Sequence, residues 1–600
     1  MIITHFSKLV HAQAARVGDM VAFRHKDEAT NTWVPTTWKD FSDKVMKVAK
    51  AMAAFGIKEH DCIATYTQNK PEGLIVDFAA YANRAVVTPL YATSSVSQVE
   101  YILCDSASQL IFVGEQFQYD NAFEALRNTP TRKIIIFDPN VKLNPEDTDS
   151  IYLDDFMKSG QNEETEAQVR QRMDAATDSD LANLIYTSGT TGEPKGVMLN
   201  HSNFTFAIRI HRERLTLTEG DSSMCFLPLA HIFERAWTYF CLSMNIRVEI
   251  NLRPQEVQQS LKETHPSIMC AVPRFWEKVY TAIMDKRGRS GKMVQKMMDC
   301  AFKVGRKHNL EYIEKGKKAP LWLSLQYKFY DKVVLSKIKM VAGLTNANFF
   351  PCAGAALSRN INEFMHSIGV NIVYGYGLTE TTATVCCFEK TNFDFATMGT
   401  VMPGVMVKIG ENNEILVKGE GVMKGYYNKP EETAKVFTEE GYFRTGDAGG
   451  MTMEDCVFMT ERIKDLFKTS NGKYIAPQAL ETRIGEDPYI EQIAVIGDQR
   501  KYVTALIVPT YDALKELAAQ KKIAYGNMAE LVRNPQIVEF MTGRINEMQK
   551  NFAAFEKVKK FTILPEPFSM ENGELTNTLK LRRMIVNQRY KDIIDAMYAS

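Results

Sequence analysis

Between Asp40 and Phe55 the apolar side chains Val45, Val48, Ala49 and Met52 recur at helical spacing, and Gly56 stands where a C-terminal cap is needed. Strand-length apolar runs follow at Val86 to Leu90, Gln109 to Val113 and Ile134 to Phe137, the last after Arg132–Lys133. Helices alternating with short buried strands predict parallel sheets of the doubly wound type, an α/β fold. The polar, acidic stretch Asn144 to Asp180 predicts surface loop and helix before the next strand, Leu184 to Tyr186. From about Ile463 the pattern restarts with a hairpin, a helix and strands. That predicts a large domain over residues 1–463 and a smaller one over 464–600, whereas length alone allows about four.

Residues 286–339 differ in character. Lysine and arginine (Lys286, Arg287, Arg289 and Lys292 through Lys337 and Lys339) outnumber the acids Asp299, Glu311, Glu314 and Asp331 there, and Trp322, Tyr327, Phe329 and Tyr330 are interleaved. Two readings stay open for this basic helical insert: a solvated face over apolar core, or a surface that touches anionic membrane. Over the whole chain 72 Lys and Arg balance 72 Asp and Glu, so no global basic excess points to nucleic acid. The ten cysteines lack the C-x-x-C and zinc-site spacings, and Cys386–Cys387 are expected to be buried free thiols in a reducing cytosol. No apolar run reaches the roughly 18 residues of a membrane span, and Met1 to Arg16 lacks the apolar core of a secretory signal. A cytoplasmic location follows, peripheral on the inner face of a membrane if the insert makes that contact.

The richest stretch is Tyr186-Thr187-Ser188-Gly189-Thr190-Thr191-Gly192-Glu193-Pro194-Lys195-Gly196. A buried strand runs into hydroxyls and glycines and then a lysine. Glycines let backbone N–H groups converge on an anion, and the hydroxyls and lysine add donors, which is what a polyphosphate needs. The P-loop of kinases and ATPases requires Gly-Lys-Ser/Thr; here Pro194 precedes Lys195 and Gly196 follows, so that spacing fails.

The full string resembles the phosphate loop of the adenylate-forming superfamily, and ordered motifs extend the likeness from about Trp33 to the C-terminus. Within it the chain is similar to long-chain fatty acyl-CoA synthetases. The strings that carry this are Leu227-Pro-Leu-Ala-His-Ile-Phe-Glu-Arg235, Val272-Pro-Arg-Phe-Trp-Glu-Lys-Val-Tyr280, Gly472-Lys-Tyr-Ile-Ala-Pro477 and Glu571-Asn-Gly-Glu-Leu-Thr576. The resemblance implies ATP-dependent activation of a long-chain or medium-chain fatty acid to an acyl-adenylate, then transfer to CoA with release of AMP and pyrophosphate. It implies a large domain of mixed sheets with a distorted barrel, a mobile C-terminal domain, and fatty acid, ATP, CoA and Mg²⁺ as ligands. The rival readings are a fatty acyl-AMP ligase that delivers to a carrier protein and a non-catalytic acyl-binding protein.

Carried over residue by residue, the likeness puts Thr187, Ser188, Gly189, Thr190, Thr191, Gly192 and Lys195 around the phosphates. In Tyr374-Gly-Tyr-Gly-Leu-Thr-Glu380 it puts Tyr376 and Gly377 at the adenine, Thr379 near the α-phosphate, and Glu380 on Mg²⁺ with Thr187 as partner. Gly354, Ala355 and Ala356 resemble the adenine-lining turn, with Ala356 where proline is commoner. Asp447 falls under the ribose hydroxyls, which one carboxylate can accept. Arg462 also meets the ribose, and Lys464 is the hinge of a motif that here begins with Glu461 where the family usually has aspartate. Gly472 sits in a hairpin lining the thiol path, and His231 and Trp237 belong to the acyl site. Lys580 corresponds to the adenylation lysine, with Leu579 where glycine is usual.

Overall fold

The structure, a computed structural model, describes residues 3–187, 193–463, 465–470, 473–576 and 580–599. The helix foreseen after Asp40 runs Trp38–Ala54, and Val45, Val48, Ala49 and Met52 are all fully buried on its inner face. Thr37 caps its N-terminus by accepting from the Asp40 N–H, and Gly56 just beyond it takes φ +89°.

Its neighbour Pro71–Ala82 is apolar nearly all round and buried on every side, wedged between that helix and the largest sheet. Among the described residues this sheet has eight strands, in spatial order Gly425–Tyr426, Lys195–Asn200, Leu181–Thr187, Val86–Leu90, Cys62–Tyr66, Leu110–Val113, Lys133–Ile136 and Ile151–Tyr152. The six from Leu181–Thr187 onward are parallel, and the first two are antiparallel additions at the edge. The acidic stretch after Asn144 is mostly loop and the helix Glu163–Ala175, but it also supplies the short edge strand Ile151–Tyr152.

A second sheet, in order Ile268–Met269, Ser222–Cys225, Arg247–Ile250, Val21–Asp27 and Thr32–Thr37, joins through isolated bridges to a third. The third starts with the parallel pair Phe350–Cys352 and Ile372–Tyr376 and continues antiparallel through Cys386–Cys387 and Thr400–Val401. An antiparallel four-stranded sheet, residues Met406–Ile409, Glu414–Lys418, Phe443–Met451 and Val457–Arg462, curls beside it as a partial barrel. Beyond this large N-terminal domain lies a C-terminal α/β domain with its own core. It holds the hairpin Phe467–Lys468/Tyr474–Ile475 and the sheet Ile490–Ile496, Thr504–Pro509 and Lys560–Ile563. The basic insert is helical: Pro273–Arg289, Lys292–His308, Leu321–Tyr330 and Ser336–Ala342. All ten cysteines are free, and Cys386 and Cys387 are buried in one short strand. No helix of the described residues is long and apolar enough to cross a membrane.

Candidate active site

Open α/β sheets present ligands at the carboxyl ends of their strands, where loops converge. Thr187 closes one such strand, and Cys352 and Tyr376 close a parallel pair in another sheet. Ser188, Gly189, Thr190, Thr191 and Gly192 lie outside the described residues, but both banks of that loop are defined. Thr187 pairs with Lys195 across the antiparallel ladder. The Lys195 ammonium donates to Glu432 Oε2 at 2.6 Å and stands 5.0 Å over the Tyr426 ring. Lys195 and Lys435 hold the Glu432 carboxyl down to about 2. Tyr426, in the two-residue strand beside Val197, donates its hydroxyl to Glu380 Oε1 at 2.9 Å. One chain of contacts therefore links the phosphate-loop lysine to the predicted metal ligand.

Glu380 sits in the 3₁₀ turn Thr379–Thr381. The turn is reached through Gly377, where a Cβ would lie 1.6 Å from the Ala383 carbonyl oxygen, so only glycine fits. Burial raises the Glu380 pKa, against the pull of Tyr426 and Arg462. A carboxylate disfavoured by burial is one a hard cation would stabilise. Among the described residues no group of three or more His, Cys, Asp or Glu could hold a metal. A carboxylate such as Glu380 and a hydroxyl such as Thr187 are oxygen donors of the kind Mg²⁺ takes together with phosphate oxygens and water.

Asp447 is buried and doubly held. Its Oδ2 accepts from the Tyr376 hydroxyl at 2.6 Å, and its Oδ1 lies 3.2 Å from Arg462 Nε, its partner across the strand pair. Burial pushes its pKa up; Arg462, Tyr376 and Lys580 pull it back. Gly354, at φ +92°, and Ala355 are open to solvent beside this cluster's sheet, and Ala355 O accepts from Tyr374 at 3.3 Å. Ala356 is half-buried and Thr379 buried.

Lys580 reaches the same cleft from the C-terminal domain. The backbone of Thr576 and Lys580 closes on itself, Thr576 N–H to Lys580 O at 2.8 Å and Lys580 N–H to Thr576 Oγ1 at 3.0 Å. The Lys580 residue as a whole is exposed, while its ammonium faces the charged groups Asp447, Asp465, Glu380 and Arg462. Burial there, with Arg462 adding to it, pushes its pKa down to about 8. Lys464 and Gly472 lie outside the described residues.

His231 begins the helix Ile232–Ser243, accepting from the Phe233 N–H on Nδ1 at 3.2 Å. Burial and the nearby Lys580 charge lower its pKa to about 4, so the ring is neutral. On the same helix Trp237, its indole N–H donating to Ser223 Oγ at 2.9 Å, lines an apolar cavity with Phe233, Phe240, Val373 and Tyr376. The cavity measures about 40 Å³.

The residues that sequence reasoning passed over hold this scaffold together. Tyr426 and Glu432 come from a two-residue strand and the short helix after it, which show no periodicity. Glu234 and Arg235, in the very string quoted for the resemblance, are both buried. Glu234 accepts from the Leu227 N–H at 3.1 Å, and burial pushes its pKa up to about 8. Two adjacent charged residues directly after the apolar pair Ile232–Phe233 would have been the signal.

A family profile described as AMP-binding enzyme matches residues 10–427, and one described as AMP-binding enzyme C-terminal domain matches residues 464–600. The chain belongs to the AMP-binding enzyme family. It is 28% identical to the long-chain-fatty-acid–CoA ligase FadD15 of Mycobacterium tuberculosis, over 94% of this chain and 92% of that protein. It is 27% identical to long chain acyl-CoA synthetase 4 of Arabidopsis thaliana, over 95% and 88%. Among solved structures, the A-PCP didomain of carboxylic acid reductase from Segniliparus rugosus in complex with AMP superposes with TM-score 0.77 at 20% identity, covering 99% of this chain and 82% of that one. The o-succinylbenzoate CoA synthetase of Bacillus subtilis in complex with AMP gives 0.66 at 18%, covering 96% and 97%. At those identities the superpositions define the fold.

Proposed function

We propose that this protein is an ATP-dependent ligase that activates a long-chain fatty acid to its acyl-adenylate and transfers the acyl group to CoA. The observation that carries the reading is the delivery of Lys580 from the C-terminal domain into the cleft of Asp447, Arg462 and Glu380, beside an apolar cavity. Its relatives of known name, quoted above, point to the same substrate class. We divide the chain at 463/464, with the smaller domain mobile about Lys464.

The chemistry follows from the charges. The acid's carboxylate attacks the α-phosphorus of ATP, an O–P bond forms, and pyrophosphate leaves with the electron pair of the broken bond. Two anions must approach, so Lys580 and Lys195 neutralise charge that grows in the transition state. Asp447 accepts from the ribose hydroxyls while Tyr376 and Arg462 hold it in place, and the turn from Gly354 to Ala356, with Gly377 and Thr379, frames the base and α-phosphate. Mg²⁺, held by Glu380 and Thr187 together with the phosphates, would supply charge neutralisation to the leaving group. In the second step the CoA thiolate attacks the acyl carbon and AMP leaves, with Gly472 beside the thiol path. His231, neutral and near the Lys580 charge, we assign to the acyl site, since it caps the helix that carries the cavity residues Phe233 and Trp237. The apolar cavity lined by Phe233, Trp237 and Phe240 is where we place the acyl tail.

Incubation with ATP, Mg²⁺, palmitate and CoA is the test, and AMP and palmitoyl-CoA are the expected products. Acyl-AMP without thioester would favour the ligase that serves a carrier protein, and unconsumed ATP the non-catalytic acyl binder. Two substitutions separate the roles. Glu380→Ala is expected to abolish Mg²⁺-dependent adenylation, with loss of Mg²⁺-dependent ATP binding in calorimetry. Asp447→Ala is expected to weaken AMP binding by about tenfold or more, as a charged hydrogen-bond acceptor is lost; unchanged AMP affinity would remove it from the ribose. We place the enzyme in the cytoplasm, peripheral on the inner face of a membrane, because its substrate partitions into lipid and its helical insert is basic.

A further inference from the structure

The helix Leu321–Tyr330 is anchored on one side only. Its inner face is held by buried Leu323 and by Tyr327, which stacks on His308 at 4.2 Å, while Asn309 ties the preceding turn to the carbonyls of His366 and Ser367 at 3.0 and 3.1 Å. The outer face is apolar and open: Leu321 is 78% exposed, Trp322 54%, Leu325 59% and Phe329 59%. At 100° per residue these four fall within one stripe about 100° wide. Ordinary soluble surfaces scatter large apolar side chains singly; a contiguous stripe with an indole marks a contact face.

The charge around the stripe has one sign. Exposed Lys315, Lys317 and Lys318 precede the helix, and Lys328 and Lys332 border the stripe. Lys307 crosses over the Trp322 ring at 5.3 Å. The one acid between 315 and 332 is Asp331, which is paired with Lys339 at 3.0 Å. Whole-chain charge is zero, so this is a local concentration and not a general basicity. Two copies of such a face would repel each other, whereas an anionic surface attracts the lysines and takes in the apolar side chains.

We propose that the outward face of Leu321–Tyr330, with its lysine border, docks on anionic bilayer, with Leu321, Leu325 and Phe329 in the acyl boundary and Trp322 at headgroup depth. This deepens the peripheral placement proposed above and rests on it. Both anchoring signals that reversible membrane binding needs, an apolar face and a polybasic border, lie within one turn of each other.

The test is co-sedimentation of the full chain with vesicles of phosphatidylcholine alone and of phosphatidylcholine with 30% phosphatidylglycerol, at low and high salt. Wild type is expected to bind the anionic vesicles about tenfold or more tightly than the neutral ones, and to be released by salt. Leu325→Glu and the double change Lys317→Glu/Lys318→Glu are each expected to lose that binding while their circular dichroism and melting temperature stay those of wild type. Acyl-CoA formation from albumin-delivered palmitate, measured in parallel, should be unchanged in both variants, since neither changes a residue assigned to the adenylate site. Equal binding to both vesicle types, or retention by both variants, would overturn the proposal. So would a dimer that Leu325→Glu dissolves without any vesicle binding. Vesicle binding by a wild type that consumes no ATP would instead defeat the ligase reading and leave the docking face standing.

Discussion

Lys580→Ala is expected to slow acyl-adenylate formation by about two to three orders of magnitude, the usual result of removing one preorganised charge from a developing anion. Chemically supplied acyl-AMP and CoA should still give thioester at a substantial rate, because that step needs no second anion to approach the α-phosphate. Single-turnover measurement of each half-reaction reads the split directly, and equal slowing of both would refute the division of labour. The same ammonium sets a pH dependence. Its pKa in the unliganded cleft is about 8, and the charged form is the useful one. Adenylation kcat/KM should therefore hold below that value and fall as pH rises through it, with Lys580→Ala flattening this limb. Bound ATP adds negative charge beside Lys580, so the limb in kcat should move to higher pH.

Much of this site was legible because its chemistry is local in sequence. The strand Leu181–Thr187 and the turn Gly377 to Glu380 each occupy one short string, and Asp447 and Arg462, which pair across two strands, each stand in another, so the candidate residues could be named before the structure brought them together. The helix Trp38–Ala54 was legible for a different reason: half-burial forces a period, and Val45, Val48, Ala49 and Met52 keep it. Pro71–Ala82 shows the limit, since a helix buried on all sides has no polar face and so no period to detect. The Tyr426 bond to Glu380 joins residues 46 apart through a strand only two residues long. Neither propensity nor spacing signals such a contact; it exists because the edge strand Gly425–Tyr426 adds to Lys195–Asn200 in one register. For the insert, composition showed charge and aromatics but not direction. The anchoring of Leu323 and Tyr327 decides which face of Leu321–Tyr330 looks outward.

Asp77→Ala is expected to destabilise the N-terminal domain by about 3–5 kcal/mol, the cost of leaving a buried charge without its partner. Asp77 and Arg235 are 158 residues apart and both are buried, with Arg235 Nη1 donating to Asp77 Oδ2 at 2.8 Å. The Tyr239 hydroxyl donates to the same oxygen at 2.8 Å and lies 2.9 Å from the Tyr81 hydroxyl, so the network ties helix Pro71–Ala82 to helix Ile232–Ser243. Arg235 Nε also donates to the Leu229 carbonyl at 2.8 Å, two residues before His231. The pair thus fixes the loop that carries His231, as well as the core beneath it. Thermal and urea unfolding should both register the loss, and surviving Asp77→Ala enzyme should show a raised KM for the acid with less change in KM for ATP. Replacing both partners, Asp77→Ala with Arg235→Met, removes the orphaned charge and should recover much of the stability, because a buried ion pair is worth far less than the penalty for breaking it. It should not recover the acid KM, since methionine cannot hold Leu229 O. A single substitution costing under about 1 kcal/mol would mean that water reaches Arg235 and that the network is not the tie between these helices.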